Sequence, residues 1–365
     1  MLCIREAGLW PCASRAIIIY RSSPMGSKIK HLRSLFLLFI FFLLTVSACR
    51  KNPYSADVSG IDINLQVHRL ETDLFSLPLD SIESSIPDLH DRYGSFFDLF
   101  NYRIIQIGGS DQPVYPEYLL YFLTDQLNNE VYGRVMEVFP DIQWLEKELT
   151  EAFRHYRYHF PGKDIPVIVT FVSRFNYSVV TDEGYIGIGL DMYLGSETDY
   201  YKRLGLHSYL IRNMHPAKIS SDAVMAWLLS EYEMNDSVHN LLAEMIYNGQ
   251  VLYAVKNMLP EQPDSLIMGF TAGQMEFCMM NEARMWEYLV EHKKLFETDL
   301  FEIKKFTGNG PFTSDFTNAS PARAALWLGW RIVEKYARRN PGMSLAELME
   351  QDDYQRILAE SRYNP

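Results

Sequence analysis

Ile61, Ile63, Leu65 and Val67 alternate with Asp62, Asn64, Gln66 and His68, a period of two that predicts a half-buried strand. Beyond it the hydrophobic period lengthens. Residues 81–107 read as helical with breaks near Pro87 and Gly94. Residues 115–139 carry Leu119, Leu120, Leu123, Leu127 and Val131 at helical spacing; Pro140-Asp141 closes that helix and caps another running to about His159. Residues 165–172, 177–181 and 185–190 are rich in Val, Ile, Tyr and Thr and read as strands, the last two joined by an Asp182-Glu183-Gly184 turn. Helical spacing then returns. Asp222 is placed to cap a helix to about Met234. Asp236 or Ser237 caps another to about Met258, with Val238, Leu241, Leu242, Met245 and Leu252 on one face and Pro260 as its stop. Residues 272–296 form a further helix. A Gly/Pro/Ser/Thr loop covers 307–319, and Ser320-Pro321 supplies an N-cap and first-turn proline for a helix to Arg339. Ser344 with Glu347 makes a capping box, and residues 353–362 form the last helix. Few strands among many helices indicate an α+β fold, mostly helical with a small mixed or antiparallel sheet.

The N-terminus follows a different pattern. Lys28, Lys30 and Arg33 precede an apolar run over residues 35–46, and Ser47-Ala48-Cys49 follows. Twelve residues at about 1.5 Å each span about 18 Å, short of a bilayer core of about 30 Å, which suits a signal sequence better than a membrane helix. Small residues before a cysteine fit a lipoprotein signal peptidase, with Cys49 as the lipid attachment site. Residues 1–24 then read as an upstream extension from a mis-assigned start, 25–48 as signal peptide, 49–60 as a lipidated tether, and 61–365 as one globular domain. Arg50 rather than aspartate follows the cysteine, and no acidic run comes after it. The expected location is therefore the outer membrane, facing the periplasm.

Removing residues 1–49 takes away six of 34 Lys and Arg and one of 46 acids, leaving a formal charge of −17. Such a balance repels phosphate backbones, so nucleic acid is excluded as a partner. Only Cys278 remains besides the lipid cysteine; its apolar neighbours Phe277 and Met279 mark it as a small buried hydrophobe. Met275, Met279, Met280 and Met285 read as core packing, as do Trp327, Trp330 and Tyr336.

Catalytic signatures are scarce. His155 and His159, four apart near a helix end, could share a metal but fit better as residues complementing the helix dipole. Asn309, Thr313, Asp315 and Asn318 are the exposed polar residues expected in the long loop, a possible binding surface. Ser230-Glu231-Tyr232-Glu233-Met234 sits on a helix where a zinc peptidase would carry His-Glu-x-x-His, whose histidines bind metal while the glutamate activates water. Here Ser230 and Met234 stand at the ligand positions, both poor zinc ligands, and only Glu231 survives as a vestigial base. Glu244 on the next helix is a vestigial third position. No cofactor and no working metal site are expected.

Several stretches together resemble the gliding-motility lipoprotein GldB family of Bacteroidetes. They are the lipobox at Cys49, Arg69-Leu70-Glu71-Thr72-Asp73-Leu74-Phe75, Gly189-Leu190-Asp191-Met192-Tyr193-Leu194-Gly195, Met245-Ile246-Tyr247-Asn248-Gly249, Gly310-Pro311-Phe312-Thr313, Leu328-Gly329-Trp330-Arg331-Ile332-Val333 and Ser361-Arg362-Tyr363-Asn364-Pro365. The resemblance implies an envelope lipoprotein, held to the membrane through Cys49, that meets envelope or motility-machinery proteins. Residues 226–234 and 241–259 also resemble a wider group of zincin-like metallopeptidases. That likeness implies a degenerate zincin-like scaffold that has lost its metal and is not an enzyme. The alternative it leaves is a zinc-dependent envelope peptidase with an atypical ligand set drawn from Glu231, Glu233, Glu244 and a remote histidine.

Overall fold

The computed structural model describes residues 52–235, 237 and 239–365. Cys49 and the segments before it, and also Asp236 and Val238, lie outside the described residues. Four strands form one mixed sheet in the order β1-β2-β4-β3: β1 (Val67–Arg69), β2 (Val167–Phe171), β3 (Val179–Asp182) and β4 (Tyr185–Gly189). β1 and β4 run parallel to β2, and β3 returns antiparallel to β4 through the expected turn, where Gly184 takes a positive φ of 78°. The fold is α+β as its sequence indicates. β1 is shorter than its alternation suggests, because β2 begins at Val167 and pairing starts at Val67↔Ile168, so residues 61–66 have no ladder partner among the described residues. They keep the alternation all the same: Leu65 is buried while Asp62, Asn64 and Gln66 are exposed.

Helices cover both faces of the sheet. On one side α1 (Leu70–Phe75), α2 (Ile82–Tyr93), α3 (Ser95–Leu99) and α4 (Tyr115–Thr124) pack against Val169 and Phe171. On the other, Ile168, Val172, Ile186 and Ile188 enter a larger core with α5 (Gln126–Val138) and α6 (Gln143–His159). Two short helices follow, α7 (Asp199–Arg203) and α8 (Ser208–Ile211), then α9 (Ile219–Glu231), α10 (Leu241–Met258), α11 (Asp264–Met268), α12 (Ala272–Glu291), α13 (Leu300–Thr307), α14 (Ala324–Arg339), α15 (Leu345–Met349) and α16 (Tyr354–Ser361). Gly187 makes the first interface possible, since a Cβ there would collide with the ring of Phe96.

Several boundaries differ from those the periodicity predicts. Pro87 does not break α2; it sits on the exposed face, where water can meet the carbonyl it leaves unpaired. Gly94, at φ 55°, does end it. The long helix over 115–139 is two, because Asp125 adopts an extended conformation and its side chain accepts the Asn128 N–H, capping α5. Leu127, expected inside, is consequently exposed. Asp222 lies within α9 rather than capping it, and Asn240 caps α10, accepting the Ala243 N–H at 2.9 Å. Ser320 does not cap α14, which starts after Arg323. α12 stops at Glu291, and α13 was not foreseen.

The inward reading holds for Trp327, Trp330, Tyr336 and Cys278, whose thiol burial pushes up to about 12. It fails for Met279 and Met280, 60% and 76% exposed, because α12 buries only the side bearing Cys278, Met285 and Leu289. Within the expected tether, the Tyr54 hydroxyl donates to Glu334 Oε1 at 2.7 Å and Val58 is buried, so the chain is already docked there. Among the described residues, no helix is long and apolar enough to cross a membrane.

Candidate functional site

At the end of α9 the peptidase-like segment does not have peptidase geometry. The helix stops at Glu231, and Tyr232 leaves it at φ −134° and ψ 87°. Ser230 turns its hydroxyl back to the Trp227 carbonyl (2.8 Å), and Met234 lies three residues past the last helical turn. The Glu231 carboxylate is taken by Lys163 Nζ at 2.6 Å, and the same ammonium lies 4.7 Å from the centre of the Tyr232 ring. Glu244, in the first turn of α10, faces His239 at 3.4 Å. A zinc ion needs lone pairs converging from one or two turns of helix. These residues do not fit it: one donor is committed to a carbonyl, one is off the helix and the carboxylate is paired. No group of three or more His, Cys, Asp or Glu side chains is set to hold a metal among the described residues.

His155 is buried on α6, and His159 is partly so. Burial lowers both pKa values, His159 to about 4 with a further push from His155. His155 Nδ1 and His159 Nε2 are buried without a hydrogen-bond partner among the described residues. Burial thus disfavours the charged imidazoles that would complement the helix terminus, although Glu151 lies 3.9 Å from His155 Nε2.

In the loop after α13, Thr313 is fully buried rather than exposed. Its N–H donates to Ser320 Oγ (3.2 Å) and its hydroxyl to the Pro321 carbonyl (2.9 Å), while Ser320 Oγ lies 2.9 Å from the Thr313 carbonyl. Ser320 thus clasps the loop. Asn309 and Asn318 are exposed, and Asp315 is half-buried.

Asn309 lies at the rim of a concavity of about 320 Å³. Its walls come from the turn after β4, the segment around α8, the start of α9, the α11–α12 junction and Arg323. Three basic side chains converge on it. Lys218 is buried and spent: Nζ donates to Asp222 Oδ1 (2.6 Å) and Ser221 Oγ (3.0 Å), and Tyr193 donates to the other Asp222 oxygen (3.0 Å). Arg212 and Arg323 have no carboxylate within ion-pair distance among the described residues. They are instead oriented by one turn of backbone: Arg323 Nη2 donates to the Met268 carbonyl, Arg212 Nη2 to that of Gly269 (3.4 Å). Burial lowers both pKa values; at Arg323 the nearby Asp222 charge works against that shift and the Arg212 charge adds to it. Sequence reading missed this cluster. Its one signal was Arg323 itself, a cation set in the apolar stretch around Ala322, Ala324 and Ala325.

The motifs behind the resemblance do structural work. Glu71 is buried beneath Arg69 (2.7 Å) and the Thr170 hydroxyl (2.8 Å), and Arg69 reaches the Phe139 carbonyl (3.0 Å), tying β1 to β2 and α5. Asp191 accepts the backbone N–H groups of Ser173 (3.1 Å) and Phe175 (2.6 Å), fixing the turn that walls the pocket. Tyr363 donates to Glu282 at 2.7 Å and pins the C-terminal segment to α12. No curated protein and no solved structure matches the chain. The family model described as "Gliding motility protein GldB" matches residues 51–365, and with these motifs each placed in one fold, the chain belongs to that gliding-motility family.

Proposed function

We propose that the protein is a lipid-anchored envelope component that works by contact with other proteins and breaks no bonds. In this reading Cys49 carries the lipid, the anchor sits in the outer membrane facing the periplasm, and residues 61–365 act as one domain engaging the motility machinery. The observation that carries the non-catalytic part is the Lys163–Glu231 pair, which occupies the one carboxylate in the general-base position at a helix end too early for a second ligand. Membership of the gliding-motility family supports the choice of partners. A contact role is also supported by Phe296, Leu300 and Phe301, which are 58%, 54% and 83% exposed over a short stretch.

The test uses the full-length chain. Glu231→Gln should leave the cellular role intact, Cys49→Ala should release the protein from the membrane fraction, and detergent-extracted protein should contain no stoichiometric zinc. One tightly held zinc per chain, with peptide cleavage lost in Glu231→Gln, would establish the metallopeptidase reading instead.

A further inference from the structure

We infer that the pocket between α8, α9 and the start of α14 is a binding site for a small oxyanion-bearing ligand, held by the guanidinium groups of Arg212 and Arg323. Two like charges share a concavity of about 320 Å³ whose lining holds one carboxylate, Asp222, and neither arginine makes an ion pair among the described residues. Bringing guanidiniums together out of water is unfavourable unless a counter-charge arrives. In a chain with 46 acidic residues against 34 basic ones, acids for such pairing are plentiful. The one nearby, Asp222, is already engaged by Lys218 and Tyr193.

The cradle is built to hold those two side chains. Arg323 takes a positive φ of 62°, a conformation costly for a residue with a Cβ, and its guanidinium carbon lies 5.8 Å from the centre of the Phe270 ring. Arg212 Nε is buried with no hydrogen-bond partner among the described residues. Between them, Gly269 sits at φ 67°; a Cβ there would come within 2.7 Å of Asn213 Nδ2 and 3.2 Å of Arg323 Nη2. Its bare backbone lets the carbonyl accept from Asn213 (3.1 Å) and Arg212 together. Each guanidinium has five N–H donors, and protein carbonyls take one from each, leaving a fork suited to carboxylate or phosphate.

The remaining lining sets the size and character of the guest. Tyr209, Gln274 and Asn309 offer polar contacts, and Met192, Leu206 and Met225 an apolar wall. That volume lies at the low end for small-molecule sites, which favours a compact acid over a polymer.

Full-length protein in non-ionic detergent, titrated at fixed ionic strength with succinate, citrate or inorganic phosphate, tests this by calorimetry and thermal shift. Saturable binding in the succinate or citrate arm identifies a carboxylate ligand, and in the phosphate arm a phosphate. Arg212→Gln should weaken it about tenfold or more. Asn309 is exposed at the rim, so Asn309→Trp should block the pocket without disturbing the fold. Absence of saturable binding in every arm, or binding that neither substitution changes, would reduce the two arginines to caps for the α11 carbonyls and overturn the inference.

Discussion

Gly249 on α10 and Gly329 on α14 meet backbone to backbone. A Cβ on Gly249 would collide with the peptide group of Gly329, and one on Gly329 with the carbonyl of Met245. The two helices therefore cross at closer range than any side chain permits, and α10 is buried along most of its length. Both glycines fall within stretches that carry the family resemblance, which gives those motifs a physical reason.

Gly329→Ala should destabilise the fold by about 2 kcal/mol or more, because backbone rather than a flexible side chain would have to move. Gly133→Ala is the matched control with the opposite sign. It lies on the exposed face of α5 with nothing within 4 Å of a new Cβ, so the helix should gain about 0.5–1 kcal/mol. Urea unfolding of the two variants beside the parent decides it; equal effects would mean that α10 and α14 are not in close contact.

Asn318 and Thr313 looked alike as loop residues, and the structure separates them. Thr313→Val keeps the shape but removes the hydroxyl that donates to Pro321, and should cost about 1 kcal/mol. Asn318→Ala, on the exposed side, should change stability by less than about 0.5 kcal/mol. Similar losses in both would show that the loop is not clasped through Thr313 and Ser320.

Asp125 does two jobs, capping α5 through the Asn128 N–H and pairing with Arg174 Nη2 at 2.7 Å. Asp125→Ala should cost about 1 kcal/mol, almost all of it from the cap, since the ion pair is solvent-exposed. Asp125→Asn keeps an N-cap oxygen and should recover most of the loss. If the asparagine variant is as unstable as alanine, the ion pair matters and the cap does not.

What the chain made legible was local. The Val/Ile-rich strands, the Asp182–Gly184 turn and the Ser344–Glu347 box depend on residues a few positions apart, and they appear where expected. Errors came where a local rule met a competitor. At Asp125 a capping carboxylate overrode an unbroken helical period, and at Arg323 a side chain bound to Met268 set the start of α14 in place of Ser320. Met279 and Met280 are apolar yet exposed, because facing outward is decided by what packs on α12 rather than by residue type. The arginine pocket was illegible for a stronger reason. Arg212 and Arg323 stand far apart in sequence and converge only through the Met268–Gly269 turn.

His159 and Asp191 should give stability a pH dependence of opposing sign. His159 titrates at about 4 in the folded protein against 6.5 ordinarily, because burial and His155 disfavour its cation. Between those values the unfolded chain binds a proton that the folded one refuses. Its contribution is therefore complete above pH 6.5 and is lost as pH falls towards 4. Asp191 behaves in reverse: burial raises it to about 6 from 3.8, so its contribution is present in acid and is lost as pH rises through 6. The two offset each other between pH 4 and 6. His159→Leu removes one side of that balance. Relative to the parent, the variant should gain on the order of 2 kcal/mol between pH 7 and pH 4.5, read from urea midpoints at each pH. A difference that stays constant over this range would place the imidazole in water and remove the explanation for its buried, unpartnered Nε2.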